Sequence, residues 1–121
     1  KNEEQIYISL SGLSESFKYA FKKSKKIEFL NACYSSAKLG LRSHPDERAK
    51  KNLQVNKDFS EQEGAQSSGN DILTLIEGVK LAWSFYKDDL RDINTYGNFP
   101  DVMLIPEKLS FKTLENKFKA K

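Results

Sequence analysis

The sequence predicts a mainly α-helical protein, built as a small single-domain bundle of about four to five helices. Apolar residues recur at three- and four-residue steps in several segments, which is the spacing of one helix face. A length of 121 residues fits one hydrophobic core, so residues 1–121 are assigned to a single domain. Hydrophobic residues make up 38% of the chain and charged residues 31%, which favours a globular protein with a strongly solvated surface.

Two helices are predicted in the first third of the chain. The first follows from apolar residues at helical spacing, namely Ile6, Leu10, Leu13, Phe17 and Phe21. Alternation at Ile6, Ile8 and Leu10 is also typical of a short strand, but the helix is preferred. The second follows from Ile27, Leu30, Tyr34, Ala37 and Leu41, with Gly40 expected as a left-handed C-terminal cap. Cys33 flanks this stripe and is interpreted as a small buried hydrophobic residue.

The middle of the chain carries weaker signals. His44-Pro45 is expected to break the second helix, because proline disfavours helical geometry in the residue before it. Residues 46–58 then predict a short, exposed helix followed by loop, with Asp46 and Glu47 suited to the positive N-terminal end. Residues 60–70 are rich in Gly and Ser and predict a mobile loop.

The strongest helical pattern follows this loop and is expected to be the central element. Asn70 or Asp71 is suited to cap it. Its inward set is Ile72, Leu75, Ile76, Val79, Trp83, Tyr86 and Leu90. Gly78 interrupts the pattern, which indicates a close helix contact rather than a site. After a turn-rich loop at residues 94–101, a final helix is predicted with Leu109, Leu114 and Phe118.

Catalytic and metal-binding chemistry is not predicted. Cys33 is the single cysteine, so neither an internal disulfide nor a thiolate zinc site is available within the chain. His44 is the single histidine and precedes a proline in a polar stretch, which makes a catalytic triad improbable. Asp88 and Asp92 are interpreted as a solvated helix face beside Lys87 and Arg91. The protein is therefore expected to be no enzyme and to carry no cofactor or metal.

Two surfaces are candidates for binding a macromolecule. The first is a protein-binding surface in the turn-rich loops, made by Tyr96, Asn98, Phe99 and Asp101 with Ser67, Ser68 and Asn70 as a second contact. Aromatic residues in such loops are common interface anchors, although Phe99 packing back onto the core is an equally good interpretation. The second is a nucleic-acid-binding face made by Lys18, Lys22, Lys25 and Lys26, which are expected to line one side of the first helix, with Tyr19 and Phe21 nearby for stacking. A net charge of +3 and the absence of arginine from this face make nucleic acid the weaker alternative.

Short motifs in the second half resemble the amidase-immunity proteins of bacterial type VI secretion systems. They are Leu75-Ile76-Glu77-Gly78-Val79 and Met103-Leu104-Ile105-Pro106-Glu107-Lys108-Leu109-Ser110, followed by Leu114. In that family a Gly-Val pair lies in a central helix, and an Ile-Pro step leads into a final helix that starts with Ser or Thr. The resemblance covers under half of the chain. Those proteins are usually held by a disulfide, and this chain departs from them because Cys33 has no partner.

The resemblance implies a periplasmic, helical, often dimeric protein that neutralises a toxin enzyme, a peptidoglycan amidase, by plugging its catalytic cleft. Without it, a cytoplasmic protein is the expectation. The sequence begins at Lys1, which fits either a mature chain after removal of a signal peptide or an artificial boundary. No apolar run of about 18 residues occurs, so no membrane span is predicted and the chain is expected to be soluble. An immunity-type inhibitor is the leading hypothesis, a nucleic-acid-associated protein the alternative, and an enzyme ranks third.

Overall fold

The computed structural model describes residues 10–43, 46–66 and 69–88. These ranges form four α-helices: α1 (Leu10–Ser24), α2 (Ile27–Arg42), α3 (Glu47–Gln62) and α4 (Asp71–Asp88). The prediction of a small, mainly α-helical bundle is confirmed, and no strand occurs within these ranges. The predicted loop at 94–101 and the predicted final helix lie outside the described residues. None of the four helices is long and apolar enough to span a bilayer.

Helix α2 is the central element of the described bundle. It packs against α1, α3 and α4, and α1 also packs against α3. Small buried residues along α2, among them Ala32, Cys33 and Ala37, let its neighbours approach from several sides. The prediction that the helix starting at residue 71 would be central is therefore wrong for this part of the chain.

The core forms where α1, α2 and α4 meet. Its largest side chains are Phe17 and Phe29, whose stacked rings lie 6.1 Å apart between their centroids. Around them pack aliphatic residues from all four helices, including Leu10, Leu13, Leu53, Leu75 and Val79. Helix α1 thus begins at Leu10 and buries the face that its apolar spacing predicted.

Two glycines inside helices are packing positions. Gly40 was predicted to cap α2, but α2 continues to Arg42, and the described glycines with positive φ are Gly64 and Gly69. A Cβ atom at Gly40 would lie 2.7 Å from a methyl group of Leu53 on α3, so Gly40 allows the close approach of α3. The interpretation of Gly78 as a close helix contact is confirmed, since its added Cβ would meet Ala32 and Phe17.

Helix α3 is longer and better packed than the sequence predicted. Asp46, expected near the positive end of this helix, is its N-cap residue, and its carboxylate accepts the backbone N–H of Ala49 at 2.8 Å. The helix then runs on to Gln62 and buries Leu53, Asn56 and Ser60. Ser60 was assigned to the loop, but its hydroxyl donates to the carbonyl of Asn56 at 2.8 Å, which satisfies it inside the helix.

Helix α4 is held to α2 at its first residue. Asn70 caps α4, since its side-chain oxygen accepts the backbone N–H of Leu73 at 3.1 Å. The Asp71 carboxylate instead contacts α2, accepting a hydrogen bond from Ser35 at 3.0 Å and lying 3.2 Å from Lys38 and 3.5 Å from Arg42. Leu75, Ile76 and Val79 are buried as predicted, whereas the predicted inward positions of Trp83, Tyr86 and Leu90 lie outside the described side chains.

Candidate interaction surface

An aromatic pair lies where α1 packs beside α3. The half-buried Phe59 of α3 meets the half-buried Phe21 of α1 edge to face, with ring centroids 6.3 Å apart. One turn before Phe59, Val55 leaves 57% of its surface exposed. Residues four apart on a helix share a face, so Val55 extends this apolar area along α3.

Two lysines of α1 stand over the rings. The ammonium groups of Lys18 and Lys22 lie 5.9 Å and 5.3 Å from the centre of the Phe59 ring. Each also lies 5.9 Å from the centre of the Tyr19 ring, which is 39% exposed. These distances are within the range of cation–π attraction, which holds the long lysine chains against the rings.

The other two predicted lysines lie in the turn between α1 and α2. Lys25 adopts the left-handed conformation with φ 63°, and its N–H donates to the carbonyl of Phe21 at 2.7 Å, which ends α1. Its ammonium group lies 6.0 Å from the Phe21 ring. Lys26 is the N-cap residue of α2, and its N–H donates to the Ser24 hydroxyl at 3.1 Å. The four lysines therefore do not line one helix, because α1 stops before the last two.

We call Lys18, Tyr19, Lys22, Lys25 and Phe59 the basic–aromatic surface. None of its three lysines forms an ion pair with any residue that the structure describes. Lys38, Arg42 and Lys57, by contrast, all have a carboxylate partner. The positive charge of this surface is thus not matched by an ion pair within the described residues.

The predicted loop surface is not brought together by the described residues. Asn70 lies exposed at the start of α4, where its side chain serves as the helix cap. Its predicted companions in binding lie outside the described ranges: Ser67, Ser68, Tyr96, Asn98, Phe99 and Asp101. The prediction of a protein-binding surface there stays a prediction.

The cysteine lies in a buried polar cluster. The Cys33 sulfur lies 3.2 Å from the Ser60 hydroxyl oxygen and 3.8 Å from the Asn56 carbonyl oxygen. Burial raises the pKa of the Cys33 thiol to about 11. A protonated, inaccessible thiol is a poor nucleophile, so the interpretation of Cys33 as a buried packing residue is confirmed.

Phe59 and Val55 are the surface residues that sequence reasoning missed. Their four-residue spacing was a signal for an apolar face on α3. It was obscured because the buried face of α3 includes the polar residues Asn56 and Ser60, so the helix reads as almost wholly exposed. In the described part of the chain, no cluster of three or more His, Cys, Asp or Glu side chains could hold a metal ion.

Comparison of the chain with models of known families, with curated proteins and with solved structures gives no match.

Proposed function

We propose that this protein is a non-catalytic inhibitor of the immunity type, which neutralises a toxin enzyme such as a peptidoglycan amidase by covering its active site. The observation that carries the proposal is the basic–aromatic surface. Exposed aromatic rings are typical anchors of protein interfaces and supply much of their binding energy, and the unpaired lysines beside them attract a partner of opposite charge. The rings are held on packed helices, so little side-chain freedom is lost when a partner binds.

The same surface favours a protein over a nucleic acid. Binding of single strands depends on bases that stack on open aromatic faces. The Phe59 ring already contacts Phe21 and the ammonium groups of Lys18 and Lys22. Lysine also lacks the planar fork with which arginine reads bases and phosphates. Nucleic-acid binding remains the second candidate, because Lys18, Lys22, Lys25 and Lys26 supply a cluster of phosphate-binding cations.

The proposal also includes the cellular location of the protein, its oligomeric state and a second surface that contacts the toxin. The family resemblance implies a periplasmic protein that often forms dimers, and a cytoplasmic protein is the alternative. Tyr96, Asn98, Phe99 and Asp101 would add a second contact with the toxin, together with Ser67, Ser68 and Asn70. For this contact, Tyr96→Ala with Asp101→Ala is expected to weaken inhibition while leaving the melting temperature almost unchanged.

The test is inhibition of an amidase by the purified chain. Each peptidoglycan amidase effector encoded by the source organism is assayed on purified peptidoglycan with increasing amounts of the chain. We expect stoichiometric loss of the activity of one effector, since an inhibitor that covers the active site acts at a one-to-one ratio. Full activity of every effector at a large excess of the chain would contradict the proposal. Tight, salt-sensitive binding of an oligonucleotide would then favour the second candidate.

A further inference from the structure

The basic–aromatic surface combines charge and apolar area in a fixed arrangement. Lys18 and Lys22 are one helical turn apart on α1, and both ammonium groups lie within 6 Å of the same two ring centres. Those rings, Tyr19 and Phe59, come from different helices. The surface therefore spans the seam between α1 and α3, and its shape depends on the folded bundle rather than on one helix.

The positive charge of the basic–aromatic surface indicates which kind of partner it can bind. Its three lysines have no carboxylate partner among the residues described. An anion that binds them therefore does not have to displace an acidic side chain. Lys22 and Lys25 are exposed, so their ammonium groups are open to a carboxylate of a partner. The favoured ligand is thus negatively charged.

The exposed apolar side chains of this surface indicate that its ligand carries an apolar group as well as negative charge. Tyr19, beside the ammonium groups of Lys18 and Lys22, leaves 39% of its surface exposed, and Val55, one helical turn from Phe59, leaves 57% exposed. A partner that buries these side chains needs an apolar group of its own next to its negative charges. Acidic side chains flanking a Phe, Leu or Met residue meet both requirements. A single-stranded nucleic acid supplies charge, but its bases need open aromatic faces, and the Phe59 ring already contacts Phe21.

We infer that the basic–aromatic surface is the docking site for an acidic segment of a partner protein, in which Asp or Glu residues flank an apolar side chain. The inference rests on the proposed function and names the contact that inhibition would use. The carboxylates of the segment pair with Lys18, Lys22 and Lys25, while its apolar side chain packs on Tyr19, Val55 and Phe59.

The experiment compares two charge-reversed variants of the full chain. Lys18→Glu with Lys22→Glu reverses the surface, and Lys50→Glu with Lys80→Glu changes the net charge equally at exposed lysines elsewhere. Each protein is titrated with a Glu-rich peptide carrying a central Phe, with the same peptide in which Gln replaces Glu, and with a single-stranded oligonucleotide. Each is also tested for inhibition of the amidase effector, and thermal melts establish that the variants are folded.

We expect the first variant to lose peptide affinity and inhibition by about tenfold or more, because reversed charges repel the partner's carboxylates. The control variant should stay within about twofold of wild type, and the Gln peptide should bind weakly to all three proteins. If Lys18→Glu with Lys22→Glu does not fold, Lys22→Gln replaces it with a smaller loss in the same direction.

The outcomes separate the surface from the function. If Lys18→Glu with Lys22→Glu inhibits the effector as well as the control variant does, the docking site is wrong while the proposed function stands. Peptide binding that needs these lysines, in a chain that inhibits no effector, supports the surface and rejects the function. Oligonucleotide binding tighter than that of the Glu-rich peptide, and lost in the same variant, overturns the choice of an acidic protein partner.

Discussion

A Cβ atom added to Gly78 would lie 2.5 Å from the Cβ of Ala32, because α4 and α2 pack directly against each other at these two residues. The same added atom would lie 3.0 Å from the ring of Phe17 on α1. Three helices thus meet at one glycine. Its missing side chain allows α4 to dock on the central helix.

Gly78→Ala is expected to destabilise the protein. Alanine improves helix propensity by about 1 kcal/mol, but overpacking a tight core costs about 1 to 3 kcal/mol. Overpacking prevails here because the Cβ of Ala32 is fixed to the backbone of α2 and cannot rotate away. Urea unfolding should show a net loss of about 1 kcal/mol in the free energy of unfolding.

A double mutant tests the cause of that loss. Ala32→Gly removes the opposing atom, so its combination with Gly78→Ala should cost less than the sum of the two single changes. Strict additivity would mean that the two residues do not compete for space. Gly40→Ala provides a milder comparison, because the nearest atoms there are the methyl groups of Leu53, which can turn aside.

Asp71→Asn is expected to loosen the attachment of α4 to α2. The Asp71 side chain is only 10% exposed. Its carboxylate accepts a hydrogen bond from Ser35 and forms ion pairs with Lys38 and Arg42. Loss of its charge should lower the free energy of unfolding by about 1 to 3 kcal/mol. The matched control is Glu61→Gln, which breaks an exposed pair with Lys57 and should change the free energy of unfolding much less. Equal losses in the two variants would contradict the role given to Asp71.

Local signals predicted the helices but not how they pack. Asn70 caps α4 as expected, because a helix cap is decided by neighbouring residues. The role of Gly40 could not be predicted from neighbouring residues alone. A glycine near a helix end suits a cap and a close contact equally well, and only the position of Leu53 on another helix decides between them.

The sequence predicted the lysines of the basic–aromatic surface but not the contribution of Phe59. Lys18 and Lys22 are four residues apart, so a shared face followed directly from the sequence. Their contact with Phe59 joins α1 to α3, and no local pattern gives the register between two helices. Lys25 and Lys26 were assigned to the same helix because nothing in the sequence marked the turn at Lys25, a residue that seldom adopts positive φ.

The stability of the protein should fall at alkaline pH because of Cys33. Burial raises the pKa of this thiol from its ordinary value of 9.0 to about 11. As the pH rises through this window, the unfolded chain loses its proton first, so the free energy of unfolding decreases until the folded thiol also ionises. The loss is about 2 to 3 kcal/mol at most.

The comparison for this effect is Cys33→Ala, which differs from the wild type only at the thiol. Urea unfolding at neutral and at alkaline pH should show a smaller pH-dependent loss in this variant, on top of a constant cost for the removed sulfur. Parallel pH profiles in the two proteins would show that the thiol does not contribute.

Asn56→Asp should place a charge in the core and make stability depend on pH in the acidic range. Asn56 is fully buried, its side-chain nitrogen donates to the Ser14 hydroxyl at 2.8 Å, and its side-chain oxygen has no hydrogen-bond partner among the described residues. An aspartate of the same shape loses the donor and has little to stabilise its charge. Burial therefore raises the pKa of the new carboxyl group above the unfolded value of about 3.9.

Because that folded pKa is raised, the variant retains most of its stability below the unfolded pKa and loses it as the pH rises towards the folded pKa. Urea unfolding at about pH 4 and at pH 7 should thus show a larger deficit relative to wild type at pH 7. Asn52→Asp is the control, since Asn52 is half-buried on the same helix and donates to the Ser11 hydroxyl at 2.6 Å. Water reaches its side chain, so its deficit should change little with pH. An equal deficit for Asn56→Asp at both pH values would mean that the lost donor, rather than a buried charge, destabilises the fold.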